Sequence, residues 1–296
     1  MIMHRRTFLG IGAAGVAGAG LALAGGGQAL GILAPRAAAP TTPFAVGVRQ
    51  YSWTRGTRRL STYVYYPAKG TPGGNPITNA PVADGVFPIC EYTHGSGGSP
   101  QKALGHILPL AAAGFVVPAP VFTTASIGDA YNGTLSKDVS ENITRTLALN
   151  TANDPLRGHL QTTGGVGVSG YSMGAMTTHG LLTAWPDSRI VAATAMSTVD
   201  MGNPSSTVKA KVLFMHGDRD ATCPYSSARQ AYGELPAPKA FLTFRGGTHT
   251  SYFSDSRARK TFVDWMRWAL YADTAARDRL RTDASSSTTS WDAVLT

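Results

Sequence analysis

The pentapeptide Gly170-Tyr171-Ser172-Met173-Gly174 constrains this chain more than any other stretch. It follows an apolar run, Val166-Gly167-Val168, and opens a helix-compatible segment, Ala175 to Trp185. Strand, tight turn and helix in that order are the context in which a G-x-S-x-G pattern becomes a nucleophile elbow, with the serine hydroxyl held above a sheet edge. Such a turn strains its central residue, and glycine on either side lets neighbouring chain pass without a Cβ clash. A chain with 34 glycines can produce the pattern by accident, so the rest of the sequence has to decide its meaning.

The surroundings alternate between strand and helix. Ala45 to Tyr51 and Arg59 to Tyr66 read as antiparallel starting strands, rich in β formers. Val86 to Tyr92 reads as a strand despite Pro88, and ends in the glycine loop Thr93-His94-Gly95-Ser96-Gly97-Gly98 before a helix from Gln101 to Ala113. Further strands are expected at Phe115 to Pro118, Gly165 to Ser169, Arg189 to Ala195, Ala210 to Met215 and Ala240 to Phe244. Helices are expected at Ser136 to Asn150, Pro224 to Tyr232 and 257 to 271, the last with Phe262, Met266, Ala269 and Leu270 as its apolar stripe. The pattern predicts an α/β fold with a mostly parallel central sheet covered on both faces. Chemistry then gathers at the carboxyl ends of the strands. The Ser/Thr-rich segment 282–296 is expected to be a loose tail, leaving 41–281 as one domain.

The first forty residues differ from the remainder. Arg5-Arg6-Thr7-Phe8-Leu9 precedes an uncharged Gly/Ala-rich stretch, and no acid occurs before position 40. This reads as a twin-arginine export signal, which predicts a secreted, periplasmic or cell-envelope protein that meets the membrane only during export. Nine glycines between Thr7 and Pro35 argue against a stable spanning helix. Ala22-Leu23-Ala24 and Ala37-Ala38-Ala39 are the two candidate cleavage triplets. Removing residues 1–40 takes away three arginines and changes the net charge from +9 to +6. Cys90 falls on a strand and Cys223 beyond a strand three positions away in the expected sheet, about 14 Å at roughly 4.8 Å per strand, so two separate thiols are expected.

After Ser172 come Met215-His216-Gly217-Asp218-Arg219-Asp220 and Gly246-Gly247-Thr248-His249, each ending a strand. A serine hydroxyl becomes a useful nucleophile when an imidazole takes its proton and a carboxylate orients the imidazole. Asp218, Asp220 and the remoter Asp200 are the available acids. Together, the elbow, the acid loop, the histidine loop, Phe262-Val263-Asp264-Trp265-Met266 and the early strand ending Tyr65-Tyr66-Pro67-Ala68 resemble the serine α/β-hydrolases of the dienelactone-hydrolase-like group. They are similar above all to bacterial cutinase-like polyester hydrolases and to platelet-activating-factor acetylhydrolase-type esterases. The resemblance implies Ser172 as nucleophile, His249 as general base and acid, and Asp220, the second aspartate of its loop, as the orienting carboxylate. It also implies an oxyanion hole from the backbone N–H groups of Met173 and Ser96. His94, His216 and His179 are expected to be structural, and His179 buried and satisfied.

The strand ending near Ala195 and the next beginning near Ala210 leave space for a loop and not for a lid domain, so the cleft should be open. Phe122, Tyr131, Tyr252 and Phe253 are its candidate lining residues. The polyester hydrolases commonly carry an aromatic residue in the oxyanion loop and a tryptophan after the strand that follows the elbow. Here the stretches read His94-Gly95-Ser96-Gly97-Gly98 and Met196-Ser197-Thr198, which argues against aromatic polyesters. No metal-ligand spacing and no phosphate-binding G-x-x-x-x-G-K-[ST] motif is present, so no cofactor and no nucleic-acid partner are expected. The expected partner is a small or polymeric ester, met by a monomer. An acyltransferase of the same fold would use the same three residues, and a binding protein on this scaffold would usually have lost one of them.

Overall fold

The computed structural model describes residues 37–204, 206 and 208–296; the twin-arginine motif and the cleavage triplet at Ala22 lie outside them. In chain order the strands are β1 (Ala45–Arg55), β2 (Arg58–Ala68), β3 (Ile77–Thr78), β4 (Cys90–Thr93), β5 (Val117–Pro120), β6 (Val166–Tyr171), β7 (Ile190–Met196), β8 (Lys211–Gly217), β9 (Lys239–Phe244) and β10 (Thr289–Val294). The helices are α1 (Leu104–Ala112), α2 (Ile127–Tyr131), α3 (Thr134–Ala148), α4 (Met173–Gly180), α5 (Tyr225–Glu234), α6 (Ser256–Met266) and α7 (Thr274–Ala284). The strands order as β10-β9-β8-β7-β6-β4, with β4, β6, β7, β8 and β9 parallel. An amino-terminal sheet, β3-β1-β2-β5, has antiparallel β1, β2 and β5. The two join where Cys90 N–H donates to Val116 O at 2.9 Å and Val116 N–H to Pro88 O at 3.0 Å. Pro88 has no N–H for a ladder, so β4 begins at Cys90 and not at Val86.

Both faces of the central sheet are buried, which is why its strands read as continuous apolar runs. Alternate residues part to opposite faces: Val212, Phe214 and Phe241 pack toward α3, α4 and α5, while Leu213, Met215 and Leu242 pack toward α1 and α6. The expected stripe of Phe262, Met266, Ala269 and Leu270 is buried, although α6 ends at Met266 and a π-helical turn, Arg267–Tyr271, carries its last two members. Cys90 and Cys223 are buried free thiols on segments three strands apart.

The carboxyl-terminal segment departs from expectation. Residues 282–296 are not a loose tail: α7 extends to Ala284, and β10 pairs antiparallel with β9, from Thr289 opposite Phe244 to Val294 opposite Lys239. Thr289, Trp291 and Ala293 turn inward while Ser290, Asp292 and Val294 are more exposed, the alternation of an edge strand. Asp292 also takes a hydrogen bond from Arg229 of α5 at 2.8 Å.

Glu91 lies fully buried in β4, next to the glycine loop. Thr93 Oγ1–H donates to its Oε1 at 2.6 Å, and its Oε2 has no partner among the described residues. Burial pushes this carboxyl well above its usual range. An unfolded glutamate ionises near pH ~4.3. Stability tied to Glu91 is therefore complete below that value and lost as pH rises toward the folded one, by up to about 1.4 kcal/mol per pH unit. Glu91→Gln removes the ionisation, so its melting temperature should exceed wild type at pH 8, by about 2–4 °C for each kcal/mol, with the gap closing toward pH 4. Thermal scans of the two proteins with parallel pH slopes would show that Glu91 is not held neutral.

Candidate active site

The parallel strands all open on one edge, and the elbow stands at its centre. Ser172, between β6 and α4, has φ 53° and ψ −120°, a conformation that L residues rarely adopt. A Cβ on Gly174 would lie 2.0 Å from Thr93 O, and one on Gly170 would lie 2.4 Å from the backbone of Gly174. The two glycines thus let the turn close against the end of β4. Ser172 N–H donates to Met196 O at 2.9 Å, tying the elbow to β7.

His249 Nε2 lies 3.0 Å from Ser172 Oγ, and His249 Nδ1 lies 2.7 Å from Asp220 Oδ2. The other carboxylate oxygen of Asp220 accepts from Thr222 N–H at 2.8 Å and Cys223 N–H at 2.9 Å. Burial by itself would raise this carboxyl. The N–H of Cys223, the His249 imidazole and the N–H of Thr222 outweigh it and hold Asp220 below the ordinary carboxylate range. Asp218 instead accepts from Gly246 N–H at 2.6 Å and links the acid loop to the histidine loop. Asp200 accepts from Gly202 N–H at 2.9 Å and has no bond to His249. Of the three candidate acids, Asp220 is the one that meets the imidazole.

The histidine loop is anchored from beneath. Ser197, at φ 52°, donates to His249 O at 3.0 Å and meets Tyr252 OH at 2.8 Å. Tyr252 is 2% exposed, stacks on Phe244 at 4.6 Å and reaches Met215 O at 3.2 Å. Its expected place in the cleft wall is therefore corrected: it supports the loop from the core side. Phe253, the next residue, turns the other way and lines a recess beside Ser172.

The three imidazoles expected to be structural, those of His94, His216 and His179, are buried. His216 Nε2–H donates to Cys223 O at 2.9 Å, and the same nitrogen lies 3.2 Å from Asp220 Oδ2. Phe122 N–H donates to His94 Nε2 at 3.0 Å, which leaves the proton on Nδ1 to donate to Gly95 O at 2.7 Å. Burial lowers the pKa of both rings and keeps them neutral. His179 accepts Met201 N–H on Nδ1 at 3.0 Å, but its Nε2 has no partner among the described residues, so the expected satisfaction holds at one nitrogen only.

Met173 is the first residue of α4, so its N–H has no acceptor within the helix. Ser96 is exposed in the glycine loop, next to Gly95, where a Cβ would lie 3.3 Å from Ser172 Cβ. Of the remaining lining candidates, Phe122 is 6% exposed and packs beside His94, whereas Tyr131 ends α2 at 55% exposure. Neither lines the recess beside the elbow. Tyr171 and His106 do, and sequence reasoning passed over both. Tyr171 carried a signal, being the residue before Ser172; His106 on α1 carried none, because its ring neighbours Tyr92 and Phe253 come from distant segments. Among the described residues no group of three or more His, Cys, Asp or Glu side chains is placed to hold a metal ion.

A family model for PETase, described as PET hydrolase-like, matches residues 34–293. The chain belongs to this family. No curated protein matches it. PET hydrolase-like proteins are serine α/β-hydrolases that cleave ester bonds, so membership confirms the fold class and makes this chain an ester-bond hydrolase. This PET hydrolase-like chain has exposed Ser96 in its glycine loop and buried Thr198 after β7. Its aromatic surface beside the elbow comes instead from Tyr171, Phe253 and His106.

Proposed function

We propose that the chain is an exported serine carboxylester hydrolase that works through an acyl-enzyme on Ser172. The observation that carries this reading is the relay from Ser172 Oγ to His249 Nε2 at 3.0 Å and from His249 Nδ1 to Asp220 Oδ2 at 2.7 Å. In the first half-reaction the Ser172 proton passes to His249 Nε2 while Oγ bonds to the ester carbonyl carbon. Charge collects on the carbonyl oxygen, where Met173 and Ser96 N–H would meet it. The C–O bond to the alcohol then breaks as Nε2 returns the proton to the leaving oxygen. Water repeats the sequence on the acyl-enzyme, giving up one proton to His249 and releasing the acid. Residues 197–210, between β7 and β8, hold no helix or strand among those described, which supports a cleft without a lid domain, open to short-chain, lipid and polyester esters. The Arg5-Arg6 leader supports export to the periplasm, cell envelope or exterior.

The test is release of 4-nitrophenol from acetyl, butyryl and longer esters by the mature protein, with rapid quenching and mass analysis for a trapped acyl group. Turnover with the acyl mass on the peptide containing Ser172 is expected. A folded protein inert on every ester, or an acyl group on another residue, would overturn the reading.

A further inference from the structure

The recess beside Ser172 contains a single charged side chain. Tyr92, His106, Tyr171 and Phe253 form its aromatic wall, the glycine loop forms its opposite side, and Lys102 stands at its rim. Ring contacts hold that wall in place: Tyr171 meets Phe253 edge-on at 4.5 Å, Phe253 meets His106 edge-on at 4.5 Å, and His106 stacks on Tyr92 at 5.6 Å. Burial lowers His106 to about 4, so at neutral pH it is an uncharged ring. No aspartate or glutamate lines the recess. Lys102 is exposed, and its ammonium has Gly97 O at 3.5 Å as its contact. It lies in the turn entering α1, whose amino end adds partial positive charge. The cavity volume is about 140 Å³. That is room for a short spacer chain or a single ring.

We propose that this recess takes the far end of an ester that carries a free carboxylate, with Lys102 as the anion's partner. Monoesters of short dicarboxylic acids and carboxylate-terminated ends of polyester chains share that chemistry. The apolar rings receive the spacer between ester and carboxylate, and the ammonium at the rim meets the charge. The inference rests on the hydrolase reading and names its preferred substrate class.

The test compares kcat/KM for charged and neutral esters of matched length. One arm places the carboxylate on the acyl side, mono-4-nitrophenyl glutarate against 4-nitrophenyl pentanoate. The other places it on the alcohol side, 4-carboxyphenyl butyrate against 4-carbamoylphenyl butyrate. In one arm the charged-to-neutral ratio of wild type should exceed that of Lys102→Gln by about threefold, the scale of an exposed ion pair. Lys102→Glu should lower the ratio further, and 0.5 M NaCl should shrink the wild-type excess. The arm that responds tells which side of the ester enters the recess. Equal ratios in wild type, Lys102→Gln and Lys102→Glu in both arms would overturn the proposal, with neutral-ester turnover leaving the hydrolase reading intact. Failure of wild type on every ester, charged or neutral, would overturn both.

Discussion

Ser172→Ala is expected to lower kcat on 4-nitrophenyl butyrate by roughly 10⁵ to 10⁶-fold. The loss is that large because the proposed mechanism makes the hydroxyl the covalent partner; His249, 3.0 Å away, would have no attached nucleophile to deprotonate. What survives is the residual rate that oxyanion donors and substrate positioning give to water, about 10³ to 10⁴ over the uncatalysed reaction. Removing Oγ leaves the backbone of the elbow unchanged, including Ser172 N–H donating to Met196 O at 2.9 Å, so the variant should keep its fold. Substrate affinity should hold as well, since Tyr171, Phe253 and the glycine loop are untouched. Stopped-flow ester assays together with melting curves check this. Retention of more than about a hundredth of wild-type kcat by a folded variant would mean that another group attacks the ester.

How much of this site is legible in the sequence depends on whether a feature is carried by order or by direction. The order Ser172, Asp220, His249 and the strand before each residue are linear facts, and parallel pairing of β6, β7, β8 and β9 brings their carboxyl ends together. The glycines of the elbow are legible for a physical reason, since a Cβ on Gly174 would press into Thr93 O. Side-chain direction within loops is not carried by order. Tyr252 and Phe253 are neighbours with similar rings, yet one stacks inward on Phe244 and the other faces Tyr171. Likewise, His106 becomes part of the site only when α1 brings it between Tyr92 and Phe253. The tail shows a different failure. Composition suggested looseness, while the alternation Thr289-Ser290-Trp291-Asp292-Ala293-Val294 already had the period of a strand.

Asp220→Asn should cost about 10⁴ in kcat, and the reason lies in the donors arranged around that carboxylate. Thr222 and Cys223 N–H point at Oδ1, so an asparagine would place its carbonyl oxygen there. Its NH₂ then faces His249 Nδ1 and His216 Nε2, which lie 2.7 Å and 3.2 Å from the native Oδ2. His216 Nε2 is already committed as a donor to Cys223 O, so donor meets donor. His249 can respond only by giving up its Nδ1 proton and carrying it on Nε2, the nitrogen that in the proposed mechanism accepts from Ser172. The base is thereby lost with its ring still in place. Asp218→Asn is the contrasting variant. Its side-chain oxygen can still accept Gly246 N–H, held at 2.6 Å in the native loop, and it has no bond to His249. Its kcat should stay within about threefold of wild type, because nothing it touches titrates or moves a proton. Steady-state kinetics on the two variants decide the acid: a collapse at Asp218 and tolerance at Asp220 would reassign the carboxylate, and equal tolerance at both would mean that His249 is oriented without one.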